Sequence, residues 1–563
     1  MDDPKSAALF VLTIAVASAV TALASAAEQT PVEAKHGLVV SVSRPASLAG
    51  LDVLKAGGNA VDAAVATAFA LAVTYPEAGN IGGGGFMLVQ VPGEPQPVCI
   101  DYRETAPRAA TENMYAGVSS RLGHRIVGVP GTVRGLALAH QRFGKLPWPR
   151  LLEPAIQLAA DGFRIDGAVA DSLNRALPRS RDFEAMQQAY RKLDGTDWAI
   201  GDRLRQRDLA ATLRRLAEHG ADEFYRGRIA EEIVREMRRG RGIITAEDLA
   251  AYEAKVRPAI HGTFRGYDIY GPPPPSSGGI VLVETLNILE NFELGKADRW
   301  SVDNVHLVIE AMKRAYCDRA KYLGDSDFVS VPEQLTSKDY ARKLAAEIDR
   351  QHATPSAKLA PELTMAGESP STTHFSVIDS TGMAVSNTYT LEQRFGSRVV
   401  VRGAGFLLNN EMGDFNWRPG YTDRKGAIGT PANVIAPAKR MLSSQTPTIV
   451  SQNGKVVLVT GSPGGRTIIN TVLSIVLGMA EFGMDGPAAV AAPRFHHGWF
   501  PDEVEFEGVE RPEFQALVEG LKQRGHQFAP LDEPQGDAHT IWVRGGASYG
   551  VPDRRISGYA AGY

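Results

Sequence analysis

Apolar and polar positions along the chain follow two periods. Ser47–Lys55 and Val61–Val73 place apolar residues at helical spacing on either side of Gly57-Gly58, and Phe86–Val91 and Val98–Tyr102 alternate as strands after the glycine run Gly82–Gly85. From Leu151 to about Gln351 the pattern predicts mainly helix, with charged amphipathic stretches at Asp208–Glu218 and Arg228–Arg239. Pro272–Pro275 followed by Ser276-Ser277-Gly278-Gly279 forms a rigid break before another helix. The texture changes near Pro355. Lys358–Ser371 (KLAPELTMAGESPS) has Pro, Gly and Ser but no period, and reads as an exposed linker. Beyond it strand patterns dominate, at Phe375–Asp379, Met383–Thr390, Phe406–Asn409, Thr448–Ser451 and Val456–Thr460. A helix at Thr467–Phe482 interrupts them, and His539–Val543 closes the series. Strands and helices at both ends of the chain imply an α+β protein of stacked sheets covered by helices. There is no tandem repeat.

The first residues obey a different rule. Ala7 to Ala26, AALFVLTIAVASAVTALASA, is almost wholly small and apolar and ends in Ala24-Ser25-Ala26. This predicts a secretory signal cut before Ala27, with a membrane anchor as the alternative, although one Lys against two Asp at the very start suits neither. No later segment offers 18 uninterrupted apolar residues, so the expected mature protein is exported, periplasmic or secreted, and free of the membrane.

Composition narrows the class. A length of 563 residues predicts one large two-lobed unit or several domains, and 44% hydrophobic with 22% charged residues is a globular balance. A net charge of −4 supplies no basic field for nucleic acid. Two cysteines, Cys99 and Cys317, supply neither a disulfide framework nor a cysteine-rich zinc site; one bridge is the most they allow.

Several familiar catalytic devices are missing: a G-x-S-x-G elbow, a Walker loop and an H-E-x-x-H helix. Gly82–Gly85 lacks the following Lys of a phosphate loop and reads as a tight, backbone-exposing turn, and His496-His497 lacks a third ligand at recognisable spacing. The informative point is the junction Ser371-Thr372, where a polar linker runs straight into the strand Thr372-Thr373-His374-Phe375-Ser376-Val377. A Thr at a strand start is ordinary β-propensity. Cleavage before Thr372 would change its chemistry, because its hydroxyl would then lie beside its own α-amine, whose pKa near 8 suits a base at neutral pH. A second device is Gly461-Ser462-Pro463-Gly464-Gly465, between an apolar strand and a helix, where consecutive glycines can aim N–H groups at one point as an oxyanion hole requires. By itself it also fits a plain strand-to-helix turn.

Ordered blocks along nearly the whole mature chain then resemble one family. They are G-G-N-A-V-D-A-A (Gly57–Ala64), A-G-N-I-G-G-G-G-F-M (Ala78–Met87), D-Y-R-E-x-A-P (Asp101–Pro107), G-V-P-G-T-V (Gly128–Val133) and P-P-P-x-S-S-G-G (Pro272–Gly279). T-T-H-F-S-V, L-S-S-Q-T-P (Leu442–Pro447), G-S-P-G-G and A-P-R-F-H-H follow. From about Gly37 through Tyr563 the sequence resembles the gamma-glutamyltransferases (glutathione hydrolases). The resemblance implies an N-terminal-nucleophile hydrolase, a four-layer αββα sandwich made as a precursor and cut autocatalytically between Ser371 and Thr372. The expected pieces are a signal over 1–26, a large subunit over 27–371 and a small subunit over 372–563. Thr372 would attack the γ-carbonyl of a γ-glutamyl donor such as glutathione, and water or an amino acid or peptide amine would release the acyl-enzyme. Thr390 matches the Thr that supports the nucleophile, and Gly464 and Gly465 match the oxyanion donors. Arg103, Ser443 and Ser444 match the holders of the substrate α-carboxylate, and Asp414 matches the partner of its ammonium.

Two positions depart from the commonest pattern. Glu392 falls where many members have Asn, and Glu411 stands at a Gln-or-Glu position, so up to three carboxylates with Asp414 surround one ammonium. Such a cluster selects for an α-amino acid head, because an acyl group without the amine leaves those charges unpaired. Pro419–Ala436 resembles in length a lid found in some members, but Lys425 stands where a gating aromatic is expected. The competing readings are a cephalosporin (glutaryl) acylase of the same fold and an exported homologue that neither processes nor catalyses. No cofactor or metal is implied, because this chemistry uses a hydroxyl, an amine and fixed donors.

Overall fold

The computed structural model describes residues 31–360, 372–420, 430–531 and 533–563. The signal segment, Ser371, most of the linker before it and the centre of the lid-like segment, with Lys425, lie outside the described residues. Among the described residues no helix is long and apolar enough to cross a membrane.

Two seven-stranded sheets form the middle of the molecule. The first runs Tyr559–Gly562, Gly37–Ser41, Thr373–Asp379, Ala384–Thr390, Gly84–Gln90, Val98–Asp101 and Lys255–Pro258, every neighbour antiparallel. The second runs Val32–Ala34, Ala547–Val551, Thr540–Arg544, Lys455–Thr460, Thr448–Gln452, Tyr267–Gly271 and Ile260–Phe264, again antiparallel throughout. Strand alternation assigns the two faces of each sheet to different cores. Leu38, Val40, Phe86, Leu88 and Ile378 meet Ile449, Val459 and Ile541 between the sheets. Val39, Met87, Val89, Phe375 and Val377 turn the other way, into the core beneath the helices Arg44–Lys55 and Ala60–Thr74. Val450 and Leu458 turn into the core under Gly278–Leu289, Val302–Tyr322 and Thr467–Ala480. The result is the expected α+β sandwich of four layers, helix, sheet, sheet, helix.

Ala60–Thr74 is buried on every side, so its Ala-rich, uniformly apolar sequence has no solvent face to fill. Asn59 and Asp62 close its N-terminus with a reciprocal capping box, worth about 1 kcal/mol. Segments from both sides of residue 371 interleave: Gly37–Ser41 lies between Thr373–Asp379 and Tyr559–Gly562. Cutting the chain at that point therefore leaves one body.

Three expectations change. Phe406–Asn409 is not a strand; it is held by the isolated bridges Gly82↔Leu408 and Val400↔Leu407. The stretch from Leu151 to Gln351 is not helical throughout, because Lys255–Pro258 and Ile260–Phe264 each supply an edge strand to one sheet and Tyr267–Gly271 the strand next to the second of these edges. Gly82–Gly85 is close backbone packing rather than a turn: a Cβ on Gly83 would stand 2.0 Å from the carbonyl oxygen of Thr390. Cys99 and Cys317 are both free thiols and buried.

Candidate active site

Thr372 immediately precedes the strand Thr373–Asp379, third in the seven-stranded order of its sheet, and is 7% exposed. The antiparallel register Thr373↔Tyr389 sets Thr372 opposite Thr390, the last residue of the neighbouring strand. Their hydroxyls meet at 3.4 Å. Thr390 Oγ1 also accepts the backbone N–H of Glu392 at 2.9 Å, and Asn80 Nδ2 donates to the Thr390 carbonyl at 2.9 Å. The A-G-N-I-G-G-G-G block thus positions the end of this strand.

The loop beyond Thr390 is bent to present Glu392. Glu392 has φ +78°, in the left-handed region that a non-glycine residue enters at a cost of about 1–3 kcal/mol and usually for function. The carboxylate is 4% exposed, and Arg121 Nη1 donates to its Oε1 at 2.7 Å. The Arg121 guanidinium lies 5.4 Å over the Trp417 ring, which stacks on Tyr115 at 4.5 Å.

Arg103 follows the strand Val98–Asp101 and is 1% exposed. Its Nη1 is 2.7 Å from Glu411 Oε2 and 3.6 Å from Glu104 Oε2, and its Nη2 pairs with Asp414. Nε and Nη2 also donate to the carbonyls of Met441 and Leu442, each at 3.3 Å. The expected carboxylate clamp and the expected ammonium partner therefore hold each other. Burial pulls the guanidinium pKa down, and Glu411, Asp414 and Glu104 more than reverse that, so Arg103 is charged.

The carboxylates around it are under-paired. Glu104 is fully buried and neither of its oxygens accepts a hydrogen bond; the same holds for Glu411 Oε1 and Glu392 Oε2. Burial pushes the Glu104 carboxyl up to about 8, only partly offset by Arg103. Burial, then the charge of Asp414, holds Glu392 well above the usual carboxylate range, and burial with Glu104 and Asp414 against Arg103 does the same to Glu411. Buried acceptors without donors mark a place built for a cation.

Ser443 and Ser444 come from the loop before Thr448–Gln452. Ser277 donates from its N–H and its hydroxyl to the Ser443 carbonyl, and the buried Arg319 reaches Ser277 Oγ and Ser444 Oγ, each at 2.9 Å. Gly464 and Gly465, between the strand Lys455–Thr460 and the helix Thr467–Ala480, have φ +131° and +57°. A small cavity of about 30 Å³ gathers Thr372, Thr390, Arg103, Glu392, Glu411, Asp414, Ser443, Ser444 and Gly465, together with Gln445. Gly464 lies outside this lining and borders a larger cavity on the other side of Thr372. The structure thus gathers around one cavity the residues matched to the site from sequence, except Gly464, which borders the larger cavity.

It adds four that the sequence did not flag. Glu104 and Gln445 adjoin flagged residues within their own motifs; Arg121 and Arg319 carry no local signal. His374, one turn of the pleat below Thr372, bonds Thr388 Oγ1 at 2.8 Å and Ser376 Oγ at 3.1 Å. Burial, then His539, holds its pKa well below the ordinary imidazole value, so it is a neutral structural group. His496 and His497 are likewise engaged, with Asn470 and Asp502.

Comparison with known proteins places this geometry. The family model described as Gamma-glutamyltranspeptidase matches residues 46–563. The chain is similar, at 46% identity over 547 residues, to the glutathione hydrolase proenzyme of Escherichia coli strain K12, covering 95% of this chain and 93% of that one. Among solved structures it is similar to a cephalosporin acylase from Bacillus halodurans, with TM-score 0.84, 29% identity and coverage of 95% and 97%. It is also similar to Helicobacter pylori gamma-glutamyltranspeptidase, with TM-score 0.55 and 42% identity, covering 56% of this chain and 93% of that chain.

Proposed function

The chain belongs to the gamma-glutamyltranspeptidase family, and from that membership we propose a γ-glutamyl hydrolase and transferase that acts on glutathione and related amides through Thr372. The precursor is cut between Ser371 and Thr372 by attack of the Thr372 hydroxyl on the preceding carbonyl. The ester that forms is hydrolysed, and the α-amine released on Thr372 becomes the base for the next attack. The neutral, hydrogen-bonded His374 leaves that amine as the base beside the hydroxyl. Large and small subunits over 27–371 and 372–563 stay together through their shared sheet, and export follows from the N-terminal signal.

In the catalytic cycle the hydroxyl attacks the γ-carbonyl and the oxyanion is met by Gly464 and Gly465. The amine leaves with the proton, and water or an acceptor amine then opens the acyl-enzyme. The substrate head enters by splitting an ion pair. Its α-carboxylate takes the Arg103 guanidinium with Ser443 and Ser444, and its ammonium takes Asp414 with Glu392 and Glu411. Exchanging one internal pair for two substrate pairs keeps the buried charge balanced, which a buried site requires.

One observation carries the substrate reading: the unpartnered carboxylate oxygens Glu392 Oε2 and Glu411 Oε1 beside the cavity reached from Thr372. A glutaryl side chain has no cation for them, so the acylase reading is disfavoured although an acylase shares the fold. Turnover of γ-glutamyl and glutaryl p-nitroanilides tests this. The γ-glutamyl compound is expected to be faster by 10² or more; equal rates reject the assignment.

A further inference from the structure

Thr372 stands in a wall between two cavities. The glutamyl cavity is small, about 30 Å³, and Thr372 is part of its lining. The second cavity holds about 330 Å³, in the size range of small-molecule sites, and is bordered by Thr372, Gly464, Tyr75, Glu77, Arg394 and Glu533 among others. Thr372 is the one described residue that lines both, with Gly465 on the glutamyl side and Gly464 on the other. An amide carbonyl placed over the Thr372 hydroxyl, its oxygen toward the two glycines, sends its acyl chain into the first cavity and its nitrogen into the second.

The charges of the second cavity indicate what the nitrogen side carries. Three carboxylates border it, Glu77, Glu505 and Glu533, and Glu77 is already engaged, accepting the hydroxyls of Tyr75 and Ser172. Arg394 is the one cationic side chain in the lining among the described residues. Its side chain is 36% exposed, and its Nη2 is held at 2.9 Å by Glu533, which is 60% exposed. An exposed pair of this kind contributes little, so the guanidinium exchanges Glu533 for another carboxylate at small cost. Arg394 also lies two residues beyond Glu392, so one bent loop presents a group to each cavity.

A γ-glutamyl transfer places the leaving peptide and then the acceptor on the nitrogen side of Thr372; we propose that Arg394 is the residue that binds their terminal carboxylate there. The ligand class is an α-amino acid or short peptide with a free C-terminus. The inference rests on Thr372 being the nucleophile of a γ-glutamyl transfer.

The test uses the processed enzyme, two donors and two acceptors. Glutathione carries the terminal carboxylate on its amine side and γ-glutamyl-p-nitroanilide does not; glycylglycine carries it as acceptor and glycylglycinamide does not. In Arg394→Ala the ratio of kcat/KM for glutathione over the anilide is expected to fall about 5- to 20-fold, and the KM ratio of glycylglycine to glycylglycinamide to rise similarly. Arg394→Lys is expected to recover most of both ratios. Ratios equal to those of the parent enzyme, with Arg394→Ala folded and processed, overturn the proposal, as does a fall shared equally by both donors. A parent enzyme that turns over neither donor overturns the underlying reading instead.

Discussion

Replacing Arg103 by lysine separates the charge of this residue from its fork. The guanidinium is 1% exposed and serves Glu411 at 2.7 Å, Asp414 and two carbonyls at 3.3 Å. A lysine keeps the charge among Glu104, Glu411 and Asp414, so the fold loses hydrogen bonds but no counter-charge, a cost of about 1–2 kcal/mol. Arg103→Ala is a poorer probe, since it strands those carboxylates in the interior at about 3–5 kcal/mol and mixes folding with catalysis. In the lysine variant the substrate carboxylate meets a point charge already shared by several carboxylates. Losing one bidentate contact of about 1.4–2.8 kcal/mol lowers kcat/KM for γ-glutamyl-p-nitroanilide about 10- to 100-fold. The 4-aminobutyryl anilide lacks only the α-carboxylate and makes no such contact, so its kcat/KM should change less than about threefold. The assay is the ratio of the two rates in parent and variant, with thermal unfolding to confirm that both are folded. An unchanged ratio would refute the placement of the α-carboxylate on Arg103, however far both rates fell.

Other consequences follow from the same geometry. Glu392→Gln removes one negative charge from the cluster, so the remaining carboxyls ionise at lower pH, and the acid limb of kcat/KM between pH 5 and 9 should move down while its plateau falls; a limb that does not move places Glu392 outside the ammonium site. Burial makes Glu104, Glu392 and Glu411 bind protons more tightly in the folded protein than in the unfolded chain. Their contribution to stability is present below the ordinary carboxylate range and is lost as pH rises through the folded values, about 8 for Glu104, so the unfolding midpoint should drop across that window and added glutamate should restore part of it. Gly464→Ala forces a side chain into φ +131° with its Cβ 2.5 Å from Thr467 Oγ1, and kcat should fall about 10²-fold or more; near-normal turnover would remove Gly464 from the oxyanion site. Thr390→Val deletes the hydroxyl that meets Thr372 at 3.4 Å, and precursor should accumulate in a time course where the parent is fully cut.

What the sequence made legible depended on how each feature is encoded. The helix Ala60–Thr74, buried all round, is written as a nearly continuous apolar run and reads directly, and Thr373–Asp379, buried on both faces, reads from Phe375, Val377 and Ile378 set among β-tolerant polar residues. Lys255–Gly271 is harder to read because its edge strands Lys255–Pro258 and Ile260–Phe264 are half-exposed and their polar residues break the alternation. The signal that was available is the hairpin turn Arg265-Gly266, both at positive φ. Phe406–Asn409 misled because its apolar run fills a core position without a neighbouring ladder. In the site, Arg103, Glu411 and Asp414 stand in motifs and are named from them, but their mutual pairing is a property of three-dimensional approach. Arg121 and Arg319 reach the site from segments 271 and 125 residues away from the groups they hold, and no local pattern announces such a contact.

The central claim is that cleavage turns Thr372 into the catalyst. Intact mass and N-terminal sequencing of the purified protein test it most directly. The account predicts two fragments, the smaller beginning Thr-Thr-His-Phe-Ser, and a Thr372→Ala variant that remains one chain. A parent protein that stays uncut while turning over γ-glutamyl substrate, or a Thr372→Ala variant cut as usual, contradicts it.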